Sequence, residues 1–170
     1  PGCLACRSTA MSSICLIDTS VFLNILNVPR CNEDRESVMQ NFQEYIELGC
    51  TFLLPMETIL ETGNHIAQNG DGTIRRKTAI HFVEQVKAAF NGDAPWRPTA
   101  FPDTKEILSW IDQFPDLAGK NKAPDKQEGT SFGDLNIIQE FHKSCQLFPM
   151  SEVFIWSLDR DLQSYHQMSK

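Results

Sequence analysis

The sequence predicts an α/β protein with a central, mainly parallel sheet between two layers of helices, a three-layer α/β/α sandwich. Three observations lead there. Short apolar runs alternate with segments of helical periodicity, the order that builds parallel strands through crossover helices. The first run, Ile14-Cys15-Leu16-Ile17, lacks polar alternation, as a strand buried on both faces requires. The first and last major strands end in Asp18 and Asp159, and ligands of open α/β sheets bind beyond the carboxyl ends of the strands.

The 170 residues suit one domain of ordinary size. Residues 1–10 show no periodicity and precede Met11, so they read as a leader or expression remnant, with 11–170 as a single domain. Cys3 and Cys6 in that stretch have zinc-knuckle spacing, but no second pair follows at finger distance. After Asp18, Val21 to Leu26 reads as a short helix that Asp18, Thr19 or Ser20 is suited to cap. Val38, Phe42, Tyr45, Ile46 and Leu48 recur at helical spacing up to Gly49, and Cys50 to Leu54 forms a second buried strand ended by Pro55.

Met56 to Gln68 is the next helix, with Ile59, Leu60, Gly63, Ile66 and Ala67 as its apolar stripe and Glu57, Glu61 and His65 on another line. The turn Asn69-Gly70-Asp71-Gly72 precedes a third long helix carrying Ala79, Phe82, Val83, Val86 and Phe90. Residues 91–102 are a connection with a brief extended piece. Thr104 to Phe114 is a shorter helix on Ile107, Leu108 and Ile111, and Pro115 to Thr130, interrupted by Pro124, is a long mobile loop of the kind that is often functional. Ser131 opens the last major helix, with Leu135, Ile138, Phe141 and Cys145 inward. Glu152 to Leu158, rich in β-branched and aromatic residues, is the last strand.

A net charge of −7 argues against gripping nucleic acid by bulk charge. It is compatible with acting on nucleic acid through cations, because carboxylates gathered to hold metal are themselves a source of negative charge. No apolar run approaches the roughly 20 residues that span a membrane. Cys15, Cys31, Cys50 and Cys145 have no framework spacing and read as buried free thiols in a reducing cytoplasm.

If the first and last strands are parallel neighbours, Asp18 and Asp159 share one rim, and the helices carrying Glu61 and Asp134 start or pass near it. Four such carboxylates repel unless cations lie among them, and hard ions such as Mg²⁺ prefer oxygen ligands. Each has a structural alternative: Asp18, Asp159 and Asp161 as helix caps, Asp134 as the partner of Ser131 in a capping box, Glu61 as a solvated helix residue.

Ile17-Asp18-Thr19-Ser20, then Pro55-x-x-Thr58-x-x-Glu61, then Gly133-Asp134-Leu135-x-Ile137-Ile138, then Ile155-Trp156-Ser157-Leu158-Asp159-Arg160-Asp161-Leu162 together resemble the PIN domain family from about Ile14 to Leu162. The middle, Gly70 to Thr130, is longer than in the family's small VapC-type toxins. The resemblance implies a ribonuclease dependent on Mg²⁺ or Mn²⁺, with Asp18, Glu61, Asp134 and Asp159 as its metal-binding and catalytic acids. It makes Ser20, Ser157 and Asp161 auxiliary. It also implies an RNA substrate, a toxin role with a cognate antitoxin, and a homodimer. Arg75, Arg76 and Lys77, the only run of three cations, are the candidate RNA contacts, against a solvated helix end. The competing readings are a catalytically inactive PIN-fold binding or scaffold protein and, last, a phosphate-transfer enzyme using Asp18 as nucleophile, for which the second aspartate two positions on is missing.

Overall fold

Strand β1 (Ser13–Ile17) is central in the computed structural model, which describes residues 12–122 and 127–168. The readings for residues 1–10, with Cys3 and Cys6, and for Pro124 lie outside the described residues. β1 pairs in parallel with β2 (Thr51–Leu54) on one side and with β4 (Glu152–Trp156) on the other. β3 (Trp96–Pro98) extends the sheet beyond β2, again in parallel, and the two-residue β5 (His166–Gln167) closes the other edge antiparallel to β4. The order is therefore β3-β2-β1-β4-β5. Successive parallel strands step away from β1 in one direction, and β4 returns to its opposite side. The chain reverses between β1 and β4, which opens a crevice at the carboxyl ends of these two strands.

The alternation of side chains along β1 feeds two cores. Cys15 and Ile17 join Phe22, Val38, Phe52, Trp96 and Trp156 on one face, whereas Ile14 and Leu16 join Ile137, Ile138, Phe141, Val153 and Ile155 on the other. Such two-sided burial is why the run carries no polar alternation. Helices α1 (Thr19–Ile25), α2 (Arg35–Glu47), α3 (Met56–Ala67) and α4 (Gly72–Asn91) supply the first core, and α7 (Phe132–Leu147) supplies the second. The result is an α/β fold compatible with three layers. Among the described residues no helix is long and apolar enough to cross a membrane.

Local chemistry sets the boundaries. Asp18 caps α1 by accepting the Ser20 N–H, and Asp71 caps α4 by accepting from Thr73 and Ile74. Gly49 and Gly92, both at positive φ, end α2 and α4. α5 (Thr104–Ile111) and α7 each open with a reciprocal capping box, Asp103 with Glu106 and Ser131 with Asp134.

Several expectations change. The segment expected as one mobile loop begins with α6 (Phe114–Ala118), where Pro115 sits in the first turn that tolerates it. The segment then folds back on itself: the Lys122 N–H donates to the Glu128 carbonyl and the Thr130 N–H to that of Leu117. Of the α4 stripe, Ala79, Phe82 and Val86 pack against the first core whereas Val83 and Phe90 are exposed, and the α5 stripe of Ile107, Leu108 and Ile111 faces solvent, with Ala89 and Trp110 in the buried positions. Leu60 and Ala67 of α3 are exposed too, and Thr58 and Thr62 are buried beside Ile59 and Ile66. Cys15 is buried, and Cys31, Cys50 and Cys145 are free but only half-buried.

Thr58, 1% exposed, ties α3 to the end of β1: its hydroxyl donates to the Ile17 carbonyl at 2.8 Å. Thr58→Val keeps the shape and removes the donor, and should lower unfolding stability by about 1–2 kcal/mol. Urea denaturation checks this; an unchanged midpoint would mean that the bond adds nothing to the anchoring of α3.

Candidate functional site

Asp18 leaves β1 at the point where the chain reverses. Three donors converge on one of its carboxylate oxygens, Oδ2: the Ser20 hydroxyl at 2.6 Å, the Ser157 hydroxyl at 2.8 Å and the Ser20 N–H at 3.2 Å. The two serines also stitch the strand ends together, since Ser20 Oγ accepts from the Leu158 N–H and Ser157 Oγ from the Asp159 N–H. Capping and site formation are therefore the same set of bonds. Asp159 in turn caps α8 (Arg160–Gln163), its Oδ1 accepting from the Asp161 N–H at 3.0 Å.

Glu61 reaches the rim from α3, where the Thr19 hydroxyl donates to its Oε2 at 3.0 Å. It is half-buried rather than solvated, and burial pushes its carboxyl up from the ordinary value. The Thr19 bond opposes that shift; the negative charges of Asp18 and Asp134 reinforce it. Glu57, one turn earlier, is raised by burial first and then by Glu61 and Asp134. His65, the third residue on that line, is exposed. The first turn of α7 approaches so closely that a Cβ on Gly133 would run into Glu61 Oε1 and lie 3.1 Å from Glu57 Oε1. Glycine there lets Asp134 enter the same acidic neighbourhood.

A lysine completes the cluster. Lys122 Nζ lies 2.5 Å from Asp134 Oδ2 and 3.9 Å from Asp159 Oδ2, with its side chain only 12% exposed. Burial works against its charge, but the hydrogen bond and attraction of Asp134, then Asp159 and Glu128, outweigh that, and the ammonium is held above the usual lysine value. Beside it a cleft of about 240 Å³ is lined by Lys122, Asp134, Asp161 and Tyr165. Asp161 Oδ2 is buried without a hydrogen-bond partner among the described residues.

The structure thus brings Asp18, Glu61, Asp134 and Asp159 to one crevice, together with Ser20, Ser157 and Asp161. The Arg75-Arg76-Lys77 run lies in the opening turns of α4, which follows the carboxyl end of α3. Arg75 is committed there to the Asn69 and Gly70 carbonyls at 2.6 and 3.0 Å, and Arg76 and Lys77 are exposed. The sequence reading missed Lys122, whose place depends on how a polar loop folds back. It also left Thr19 as no more than a cap and gave Glu57 no part in the site.

Among the described residues no group of three or more His, Cys, Asp or Glu side chains is arranged to hold a metal ion; an ammonium lies between two of the acids instead. The donor set is nonetheless all oxygen, the chemistry of Mg²⁺ or Mn²⁺ sites, and the orphaned Asp161 oxygen is a further acceptor beside it. The residues fit such an ion in kind. Compared with protein-family models, curated proteins and solved structures, the chain gives no significant match, so the site is interpreted from its own chemistry.

Because folding raises the Glu57 carboxyl, the folded state holds its proton to higher pH than the unfolded chain. This contribution favours the fold at low pH and is lost as pH rises through the raised value. Glu57→Gln should therefore raise the melting temperature at pH 7 and lose that advantage toward about pH 4, near the ordinary glutamate range. Melting curves across this interval check it; equal gains at both ends would remove the burial and crowding of a charged carboxylate as the cause.

Proposed function

We propose that the chain is a divalent-metal-dependent endoribonuclease of PIN-like fold, hydrolysing phosphodiester bonds in single-stranded RNA at the crevice between β1 and β4. The observation that carries this reading is the gathering of Asp18, Glu61, Asp134 and Asp159 at the switch point of a parallel sheet, with the Lys122 ammonium beside the last two. Asp18, Asp134 and Asp159 would hold the ion, with Glu61 and Asp161 at its margin. Bound there, Mg²⁺ or Mn²⁺ supplies an acidic water and neutralises charge on the phosphate.

The remaining work falls to the chain. Ser20 and Ser157 fix Asp18 through one oxygen, so the carboxylate is oriented before substrate arrives. Glu61, raised by burial and by its acidic neighbours, is suited to accept the proton of the attacking water while Thr19 holds its carboxylate in place. As the new bond from water to phosphorus forms, the bond to the leaving ribose oxygen breaks. The Lys122 ammonium is at hand to stabilise phosphate charge. No protein nucleophile is needed.

One observation favours a second reading, a PIN-like binding protein without catalysis: Lys122 already neutralises Asp134 at 2.5 Å, so the acids do not require an external cation. Asp18→Asn separates the two. Under the nuclease reading the wild type cleaves single-stranded RNA with Mn²⁺, and the variant, with unchanged circular dichroism, loses at least about 100-fold, the scale set by removing one electrostatic group from such a site. Absence of Mn²⁺-dependent cleavage by the wild type would leave the binding reading.

A further inference from the structure

A cleft of about 470 Å³ lies between the opening turns of α4 and the end of α1, away from the acidic crevice. On the α4 side it is lined by Ile74, Lys77, Thr78 and His81, whose i, i+3, i+4, i+7 spacing puts them on one face of the helix. Ile25, Leu26 and Pro29 line the other side, with Arg35 from the start of α2. Of the basic run at residues 75–77, Lys77 is therefore the member that lines this cleft, whereas Arg75 is held by the Asn69 and Gly70 carbonyls.

We propose that this cleft is a docking site for an acidic peptide segment of a partner protein, one that carries apolar side chains beside its carboxylates. The proposal does not depend on the nuclease reading above. Charge complementarity carries it. The chain has 22 Asp and Glu against 15 Lys and Arg, yet the described lining residues include Arg35, Lys77 and His81 and no acid. The exposed Glu84, 4.0 Å from His81 Nδ1, stands outside the lining. Arg35 is the fixed member: its Nη1 donates to the Asn24 and Ile25 carbonyls at 2.6 and 2.7 Å, which holds the guanidinium at the carboxyl end of α1. Its other N–H groups have no carboxylate partner among the described residues, so a planar donor set stands ready for one.

The apolar part of the lining decides which anion fits. Leu26 is buried, Ile25 and Pro29 are half-buried and Ile74 is 41% exposed, so the cleft offers aliphatic surface next to its basic groups, the pattern of an interaction site. Apart from His81 the described lining has no aromatic ring on which a base could stack, which disfavours single-stranded RNA as the occupant. The stripe from Ile74 to His81 runs over about 10 Å of helix, and Lys77 and His81 are one turn apart on it. A lone carboxylate or phosphate meets one of these cations; a peptide with several carboxylates meets them together while its apolar side chains cover Ile74 and Leu26.

The test is a titration of the full chain followed by ¹⁵N–¹H NMR with three probes: a short peptide alternating leucine and glutamate, its counterpart alternating leucine and lysine, and a single-stranded oligouridylate. The leucine-glutamate peptide should shift the amide signals of Leu26, Arg35, Ile74, Thr78 and His81 saturably, and bind more weakly as salt rises. The other two probes should leave those signals in place. Lys77 and Ile74 are exposed, so Lys77→Glu and Ile74→Gln should keep a dispersed spectrum. Lys77→Glu should weaken the peptide about five-fold or more, because an attraction becomes a repulsion, and Ile74→Gln should weaken it through loss of apolar surface. No saturable shift with the leucine-glutamate peptide, equal binding of the leucine-lysine peptide, shifts confined to other residues, or unchanged affinity in Lys77→Glu would overturn the proposal. The same shifts produced by oligouridylate would overturn it as well, and make the cleft a nucleic-acid surface.

Discussion

The mutual repulsion of carboxylates gathered where the chain reverses between β1 and β4 is the constraint on which the rest of this structure depends. Asp18, Glu61, Asp134 and Asp159 come from four separate parts of the chain, and each needs a counterweight to remain. Hydroxyl donors from Thr19, Ser20 and Ser157 serve two of them, and the ammonium of Lys122 serves the other two. Burial, and after it the neighbouring negative charges, raises the carboxyls of Glu57 and Glu61. A fold selected for stability alone would have no reason to concentrate charge in this way.

The architecture makes the concentration unavoidable once the sequence places acids where it does. Parallel strands deliver their carboxyl ends to a single rim, and the order β3-β2-β1-β4-β5 sets Asp18 and the Ser157-Leu158-Asp159 turn side by side. Ser20 and Ser157 then cross-link that seam, so the bonds that cap α1 are also those that orient Asp18. α3 is held to β1 by Thr58, and α7 approaches α3 closely because residue 133 has no side chain. Packing and electrostatics converge on the same few ångströms.

What the sequence made legible followed from local rules. The unalternating run at Ile14 marked a strand buried twice over, the Ser131 and Asp134 spacing marked a capping box, and the acids at strand ends marked the rim. The failures have physical causes as well. β5 is too short to have a periodicity and exists only because it pairs with Val153 and Phe154. α5 carries an apolar stripe that the tertiary arrangement leaves facing solvent, so helical spacing identified that helix but not its buried face, whereas in α4 it found Ala79, Phe82 and Val86 of the packed face. Lys122 is the clearest case. Nothing in a polar loop announces that one of its lysines lies within 2.5 Å of Asp134, since that contact depends on where the loop returns rather than on its composition.

The central claim is that this crevice holds cations, with Lys122 occupying ground that a divalent ion would contest. It is tested most directly by thermal unfolding across a Mn²⁺ titration for the wild type and Lys122→Met. An ion bound only by the folded state adds about 2.7 kcal/mol at a hundred times its dissociation constant. The melting temperature should therefore climb with Mn²⁺ in both proteins, with half-saturation at lower concentration in Lys122→Met, because the competing ammonium is gone. Melting temperatures indifferent to Mn²⁺ in both proteins would contradict the account and leave Lys122 as the standing counter-charge of Asp134.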